Sequence, residues 1–248
     1  RPTQSKVERR RHLRGQRSEV ALSVEVASDH RPGPGNRLRV TVSWLDRLGA
    51  SGTRTGRAAD DEPDGGRERS APGLASLFEA LSPDGRHSVL DFGPAEGRRL
   101  RLLGRFARRV RFAAMVPHPP RGAELAEVLD SLVEPDPERL FDVVLVWDLF
   151  DRLDDGDRKD VVARIVDVTG GGARLYAVVE SSGAVSTRPI RTELVDLDRV
   201  LEEPVGPPEP ANPQLLPAQM ERLLHPFEVI SGVSLRSGRR EYVARRPE

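Results

Sequence analysis

One stretch constrains this chain more than any other: Ser88-Val89-Leu90-Asp91-Phe92-Gly93-Pro94-Ala95-Glu96-Gly97. Apolar residues lead into an acid, glycines supply a tight turn, and the arginine-rich run Arg98 to Arg109 opens as a helix. A strand that ends this way holds a small ligand against the carboxyl end of a parallel sheet. The rest of the chain is read as the strands and helices that complete that sheet, with an extension in front of it.

The downstream pattern agrees. Leu74, Leu77, Phe78 and Leu81 fall at helical spacing before Ser82-Pro83-Asp84-Gly85. Leu100, Leu102, Leu103 and Phe106 predict the apolar side of the helix after the turn, and Val110–Val116 predicts a second strand, stopped by Pro117, Pro119 and Pro120. Leu125, Val128, Leu129 and Leu132 mark another helix. Phe141–Trp147 is a continuous apolar run of the kind buried on both faces of a sheet. Val161, Val162, Ile165, Val166 and Val168 predict a helix ending at Gly170-Gly171-Gly172, and Ala173–Val179 a strand. Pro217–Leu224 reads as a short helix, and Phe227–Leu235 with Arg240–Arg245 as an antiparallel hairpin. The expected fold is α/β: a Rossmann-like, doubly wound, mostly parallel sheet that ends in an antiparallel hairpin.

Residues 73–246 form that domain in this reading. Residues 1–19 (Arg9-Arg10-Arg11, Arg14, Arg17) are a basic arm with too few apolar groups to order itself. Residues 20–48 alternate apolar and polar around Pro32-Gly33-Pro34-Gly35-Asn36, which predicts a β-hairpin that must dock to persist. Residues 49–72 read as a flexible linker, and the proline-rich Leu201–Pro217 as an irregular lid or surface loop.

Composition narrows the function classes. With 39 basic and 39 acidic residues the net charge is +0, so no global field argues for a polyanionic partner. The chain has no cysteine, which excludes thiolate nucleophiles and cysteine-held metals. The five histidines show no metal-ligand spacing, and no metal is expected. No apolar run is long enough to span a bilayer, and a cytoplasmic location is the default expectation.

The spacing Asp91-x-Gly93-x-Ala95-x-Gly97 resembles the first motif of class I S-adenosylmethionine-dependent methyltransferases, usually acid-x-Gly-x-Gly-x-Gly. A dinucleotide loop would place no acid two residues before its first glycine. Phe141-Asp142-Val143-Val144-Leu145-Val146-Trp147-Asp148 is similar to the family's fourth motif, and Gly171–Tyr176 to its turn into strand five. The chain resembles bacterial members of this superfamily that carry a Gly-Pro-Ala loop and a Val-Trp-Asp segment. Two departures stand out: Ala95 replaces the middle glycine, and Ala114-Met115-Val116-Pro117-His118 lacks the acid that usually holds the ribose.

The resemblance implies S-adenosylmethionine as cofactor, held by Asp91, Gly93, Ala95, Gly97, His118 and Trp147, with Asp148 as a candidate general base. A solvated acidic face (Asp151, Asp154, Asp155, Asp157) is the plainer account of the acids that follow Asp148. Glu180, Arg188, Arg191 and Glu193 are candidates for substrate contact or for surface pairing. Methyl transfer depends mainly on alignment, so it needs no clear acid–base pair. The acceptor is expected to be a small molecule or a protein. Three rival readings stand beside this one: a non-catalytic scaffold whose ligand site has decayed, a nucleic-acid-associated protein acting through residues 1–19, and an NAD-dependent oxidoreductase, which the position of Asp91 disfavours.

Overall fold

The computed structural model describes residues 23–28, 38–43, 66–132, 140–183, 186–210 and 212–248. The arm at 1–19 and most of the expected linker lie outside the described residues. Among the described residues, thirteen strands and six helices follow in chain order. They begin β1 (Ser23–Ser28), β2 (Leu38–Ser43), β3 (Arg67–Ser70), α1 (Pro72–Glu79), β4 (His87–Asp91), α2 (Gly97–Leu103) and β5 (Ala107–Phe112). Next come α3 (Gly122–Leu132), β6 (Phe141–Trp147), α4 (Leu149–Arg152), α5 (Asp155–Asp167), β7 (Thr169–Glu180), β8 (Ser186–Thr187), β9 (Ile190–Asp196) and β10 (Arg199–Pro204). The chain closes with β11 (Glu209–Pro210), α6 (Pro217–Leu224), β12 (Glu228–Ser234) and β13 (Arg239–Arg245).

The main sheet has eight strands in the order β12-β13-β7-β6-β4-β5-β1-β2. Its heart, β5-β4-β6-β7, is parallel, and each side is finished antiparallel. The terminal hairpin β12–β13 closes the β7 side, as the sequence predicts. On the other side the hairpin β1–β2 joins the sheet at β5, Val24 opposite Phe112 and Val26 opposite Val110. The strand order reverses at β4, which has β5 on one side and β6 on the other. That reversal is the topological switch point, where open α/β sheets form their ligand crevice.

Two apolar layers fix the sheet. One holds Leu90, Val144, Val146, Leu175 and Ala177 against Leu125 and Leu129 of α3, Val161 and Ile165 of α5, and Met220 and Leu224 of α6. The other holds Val89, Val143, Leu145, Tyr176 and Val243 against Leu74, Leu77 and Phe78 of α1 and Leu103 of α2. Asp154 starts α5 by accepting from the backbone N–H groups of Gly156 and Asp157, each at 2.9 Å, a cap that satisfies donors the helix cannot use. Pro72 starts α1 where a missing N–H costs nothing. A fully buried leucine such as Leu90 or Leu145, cut to alanine, costs about 2–5 kcal/mol.

Three expectations need correction. The helix after the turn ends at Leu103 rather than carrying Phe106, and the next strand runs Ala107–Phe112 rather than Val110–Val116. Leu102 to Ala107 is apolar or basic throughout, so its pattern marks no boundary between the two. The end of the expected linker is ordered, because Arg67–Ser70 pairs as β3. The start of the expected irregular segment, Leu201–Pro204, belongs to β10, which lies between β3 and β9 in a three-stranded antiparallel sheet. Leu194 and Val200 of this small sheet are fully buried in the same layer as Trp147 and Tyr176. The small sheet is a packed lobe.

Candidate functional site

Asp91 ends β4 and is wholly buried. Its Oδ1 accepts three donors: the backbone N–H of Gly93 at 2.7 Å, Trp147 Nε1 at 2.6 Å and Arg99 Nη1 at 3.4 Å. Its Oδ2 has no hydrogen-bond partner among the described residues. Burial raises the Asp91 pKa above the usual carboxylate value, and Arg99, Trp147 and Gly93 oppose that rise. A buried carboxylate with one crowded and one open oxygen is costly to keep.

Trp147 ends β6 with φ 58°, a left-handed conformation that a bulky residue rarely adopts. That backbone turn is coupled to an indole N–H on Asp91 and a ring meeting Tyr176 edge-on at 5.6 Å. The Arg99 guanidinium lies 4.6 Å from the ring centroid, a cation–π arrangement. Trp147 is therefore an orienting wall for Asp91.

Arg99 is the residue that sequence reasoning missed. It is buried, one turn into α2, and its guanidinium ties three elements together. Nη1 reaches Asp91, the ring of Trp147 lies beneath it, and Nη2 donates to the backbone oxygen of Thr192 in β9. It also fills the hollow beside Gly93, where an added Cβ would fall 1.7 Å from Arg99 Nη1. Gly97 is open by comparison, with only Arg101 Nη1 near, at 3.6 Å. No local signal singles Arg99 out among Arg98, Arg101 and Arg105.

The loop after β5 is laced to the turn. The backbone N–H of Ala113 donates to the Asp91 oxygen at 2.8 Å, and those of Met115 and Val116 to the Phe92 oxygen at 2.8 and 3.2 Å. Ala114 holds φ 46° there, and Met115 is buried. His118 is exposed further along, and no carboxylate stands between Phe112 and His118. Ala95 is exposed on the turn. Of the expected cofactor residues, the structure gathers Asp91, Gly93 and Trp147 around one carboxylate. Ala95 and Gly97 are exposed on the turn, and His118 is exposed beyond β5.

Asp148 follows Trp147 and is also buried. Its Oδ2 accepts from Arg152 Nη2 at 2.9 Å and Nε at 3.3 Å, while Oδ1 has no partner among the described residues. The expected solvated face is divided: Asp154 and Asp155 are exposed, Asp151 is half-buried and Asp157 is buried. Asp154 caps α5, Asp155 pairs with Arg158 at 2.8 Å, and Asp157 is buried and receives the Gly122 N–H at 3.0 Å. Asp151 accepts the Glu180 N–H at 2.9 Å. Burial, reinforced by Asp148 and opposed by Arg239, pushes its pKa up to about 7. Arg191 pairs at the surface with Glu203 at 3.2 Å.

The small sheet is pinned beside this site by buried ion pairs. Glu202 of β10 meets Arg239 of β13 at 2.7 Å and Arg69 of β3 at 2.8 Å. Arg69 also meets Glu241 at 2.7 Å. Among the described residues no group of three or more histidine, aspartate or glutamate side chains is arranged to hold a metal, and no helix is long and apolar enough to cross a membrane.

No family model matches the chain, and no curated protein matches it significantly. Solved structures give likenesses. The 1,6-didemethyltoxoflavin-N1-methyltransferase of Burkholderia thailandensis, with bound 1,6-didemethyltoxoflavin and S-adenosylhomocysteine, is 21% identical over 71% of this chain and 77% of its own, at a TM-score of 0.42. The N-methyltransferase NodS of Bradyrhizobium japonicum WM9 is 12% identical over 71% and 94%, at 0.43. The glycopeptide N-methyltransferase MtfA, complexed with S-adenosyl-L-methionine, is 18% identical over 79% and 100%, at 0.40. At these scores the likeness carries no argument by itself. The fold rests on the strand order and directions above, and the site on its own geometry.

Proposed function

We propose that this chain binds S-adenosylmethionine on the Asp91–Gly97 turn and transfers its methyl group to a small molecule or a protein. One observation carries this reading: at the switch point of the sheet, a buried acid before a glycine turn keeps one carboxylate oxygen without a partner among the described residues. An α-ammonium group is a donor of the right charge for that oxygen. The residues present fit the cofactor in kind, with one condition, that the Arg99 guanidinium leave the hollow beside Gly93.

When bound, the cofactor supplies an already activated methyl group. The chain's own residues then have limited tasks. Asp91 binds the ammonium, and Trp147 fixes the Asp91 rotamer by its indole hydrogen bond. Gly93 and Gly97 allow close backbone approach. Asp148, held by Arg152, is buried with Oδ1 unpartnered among the described residues, the oxygen that would take an acceptor's proton. Alignment at the carboxyl edge is the main source of rate in such a site.

A second reading, a non-catalytic scaffold, is favoured by the guanidinium in the Gly93 hollow and by the missing acid after β5. Titration calorimetry with S-adenosylmethionine and S-adenosylhomocysteine separates the two. Saturable binding at micromolar concentration supports the enzyme, and no heat of binding at millimolar ligand contradicts it.

A further inference from the structure

We infer that Arg99 is a built-in occupant of the ligand site, a latch that closes the Asp91–Gly97 turn while it holds the small sheet down. The inference rests on the S-adenosylmethionine reading of that turn and adds a regulatory device to it. The guanidinium does at Asp91 and Gly93 what a ligand's ammonium and backbone approach would do: it supplies positive charge to the buried acid and fills the space beside the glycine. It cannot share that space with a ligand, because the hollow already lies within bonding distance of Arg99 Nη1.

The contacts of Arg99 are those of a displaceable group. Its link to Asp91 is long, 3.4 Å against 2.6 Å for Trp147 on the same oxygen. Its Nε is buried, and among the described residues neither that Nε nor Asp91 Oδ2 has a hydrogen-bond partner. A well-closed structural ion pair satisfies both partners; this one leaves a donor and an acceptor open. The occupancy is therefore a compromise that a better donor set can replace.

The same side chain carries the signal outward. Arg99 Nη2 donates to the Thr192 oxygen in the middle of β9, so a ligand that expels the guanidinium also removes a bond between α2 and the small sheet. Binding at the turn and loosening of β9 thus become one event. By linkage, anything that lifts β9 favours ligand entry by the same factor.

The test compares wild type with Arg99→Met, a buried side chain of similar length, after both are shown to melt cooperatively. S-adenosylhomocysteine affinity is read by calorimetry, and backbone amide exchange is read across Ile190–Asp196. The latch predicts that Arg99→Met binds at least about tenfold tighter, since the conformational cost of opening is removed, and that its β9 amides exchange faster without ligand. Equal or weaker binding by Arg99→Met, with wild type binding, overturns the latch and leaves the cofactor reading standing. Binding by neither protein overturns both. Should Arg99→Met fail to fold, wild type alone decides: ligand must speed β9 exchange, and unchanged or slower exchange overturns the latch.

Discussion

Two wholly buried carboxylates stand on the same face of the sheet, and they are finished differently. Glu241 is closed: Oε1 accepts Arg69 Nη1 at 2.7 Å and the Tyr176 hydroxyl at 2.8 Å, and Oε2 accepts the Gly73 N–H at 2.7 Å. Asp91 is half open, with three donors crowded on Oδ1 and, among the described residues, none on Oδ2. Glu241 ties the start of α1 to β13 and lets Gly73 approach so closely that a Cβ would sit 3.0 Å from it. Burial and a positive partner are common to both. What marks a site is the unfinished hydrogen bonding, because a purely structural acid gains nothing by leaving an oxygen bare.

Breaking the closed acid has the largest expected effect. Glu241→Ala strands the Tyr176 hydroxyl and the Gly73 N–H and leaves Arg69 with Glu202 alone, and removing one partner from such a network costs about 3–5 kcal/mol. Urea denaturation checks it, and a loss under about 1 kcal/mol contradicts the assignment. Asp91→Asn sharpens the contrast from the other side. It removes a charge that burial already disfavours, so its stability cost is expected to be less than half that of Glu241→Ala, while S-adenosylhomocysteine affinity falls at least about tenfold.

A third prediction uses pH. Asp151 has a folded-state pKa of about 7 against an ordinary 3.8, so the folded chain keeps a proton that the unfolded chain has lost between those values. The contribution of Asp151 to stability is thus fully present below about pH 4 and declines as pH rises to about 7, at up to about 1.4 kcal/mol per pH unit. Asp151→Asn removes that component of the slope in thermal melts followed from pH 5 to 8; an unchanged slope contradicts it. The smallest effect is that of Tyr176→Phe, which takes one donor from Glu241 and leaves Arg69 and Gly73 in place. A loss of about 1 kcal/mol is expected, and a loss near that of Glu241→Ala would mean the hydroxyl, not the guanidinium, holds the acid.

The parts of this account legible in the sequence share a physical cause. Val89, Leu90, Phe92 and the run Phe141–Trp147 are buried by local pattern, and the turn chemistry of Gly93 to Gly97 is local too. The small sheet was illegible because its strands pair across distance: β3 opposes β10, Arg69 facing Val200, with about half of the chain between them. Prolines at 204, 207 and 208 also hide a strand that ends at Pro204. Arg99 escaped notice because an arginine in an arginine-rich helix carries no distinguishing mark. Only the folded placement of Thr192 and Trp147 makes it a latch. Asp151 and Asp157 look like part of a solvated acidic run in sequence; the backbone N–H groups that need them come from Glu180 and Gly122.

The most direct test of the central claim is a side-by-side calorimetric titration of wild type and Asp91→Asn with S-adenosylhomocysteine. The half-open acid at the switch point predicts saturable binding by wild type that weakens at least about tenfold in Asp91→Asn. Binding that is absent from wild type, or indifferent to Asp91→Asn, would contradict it.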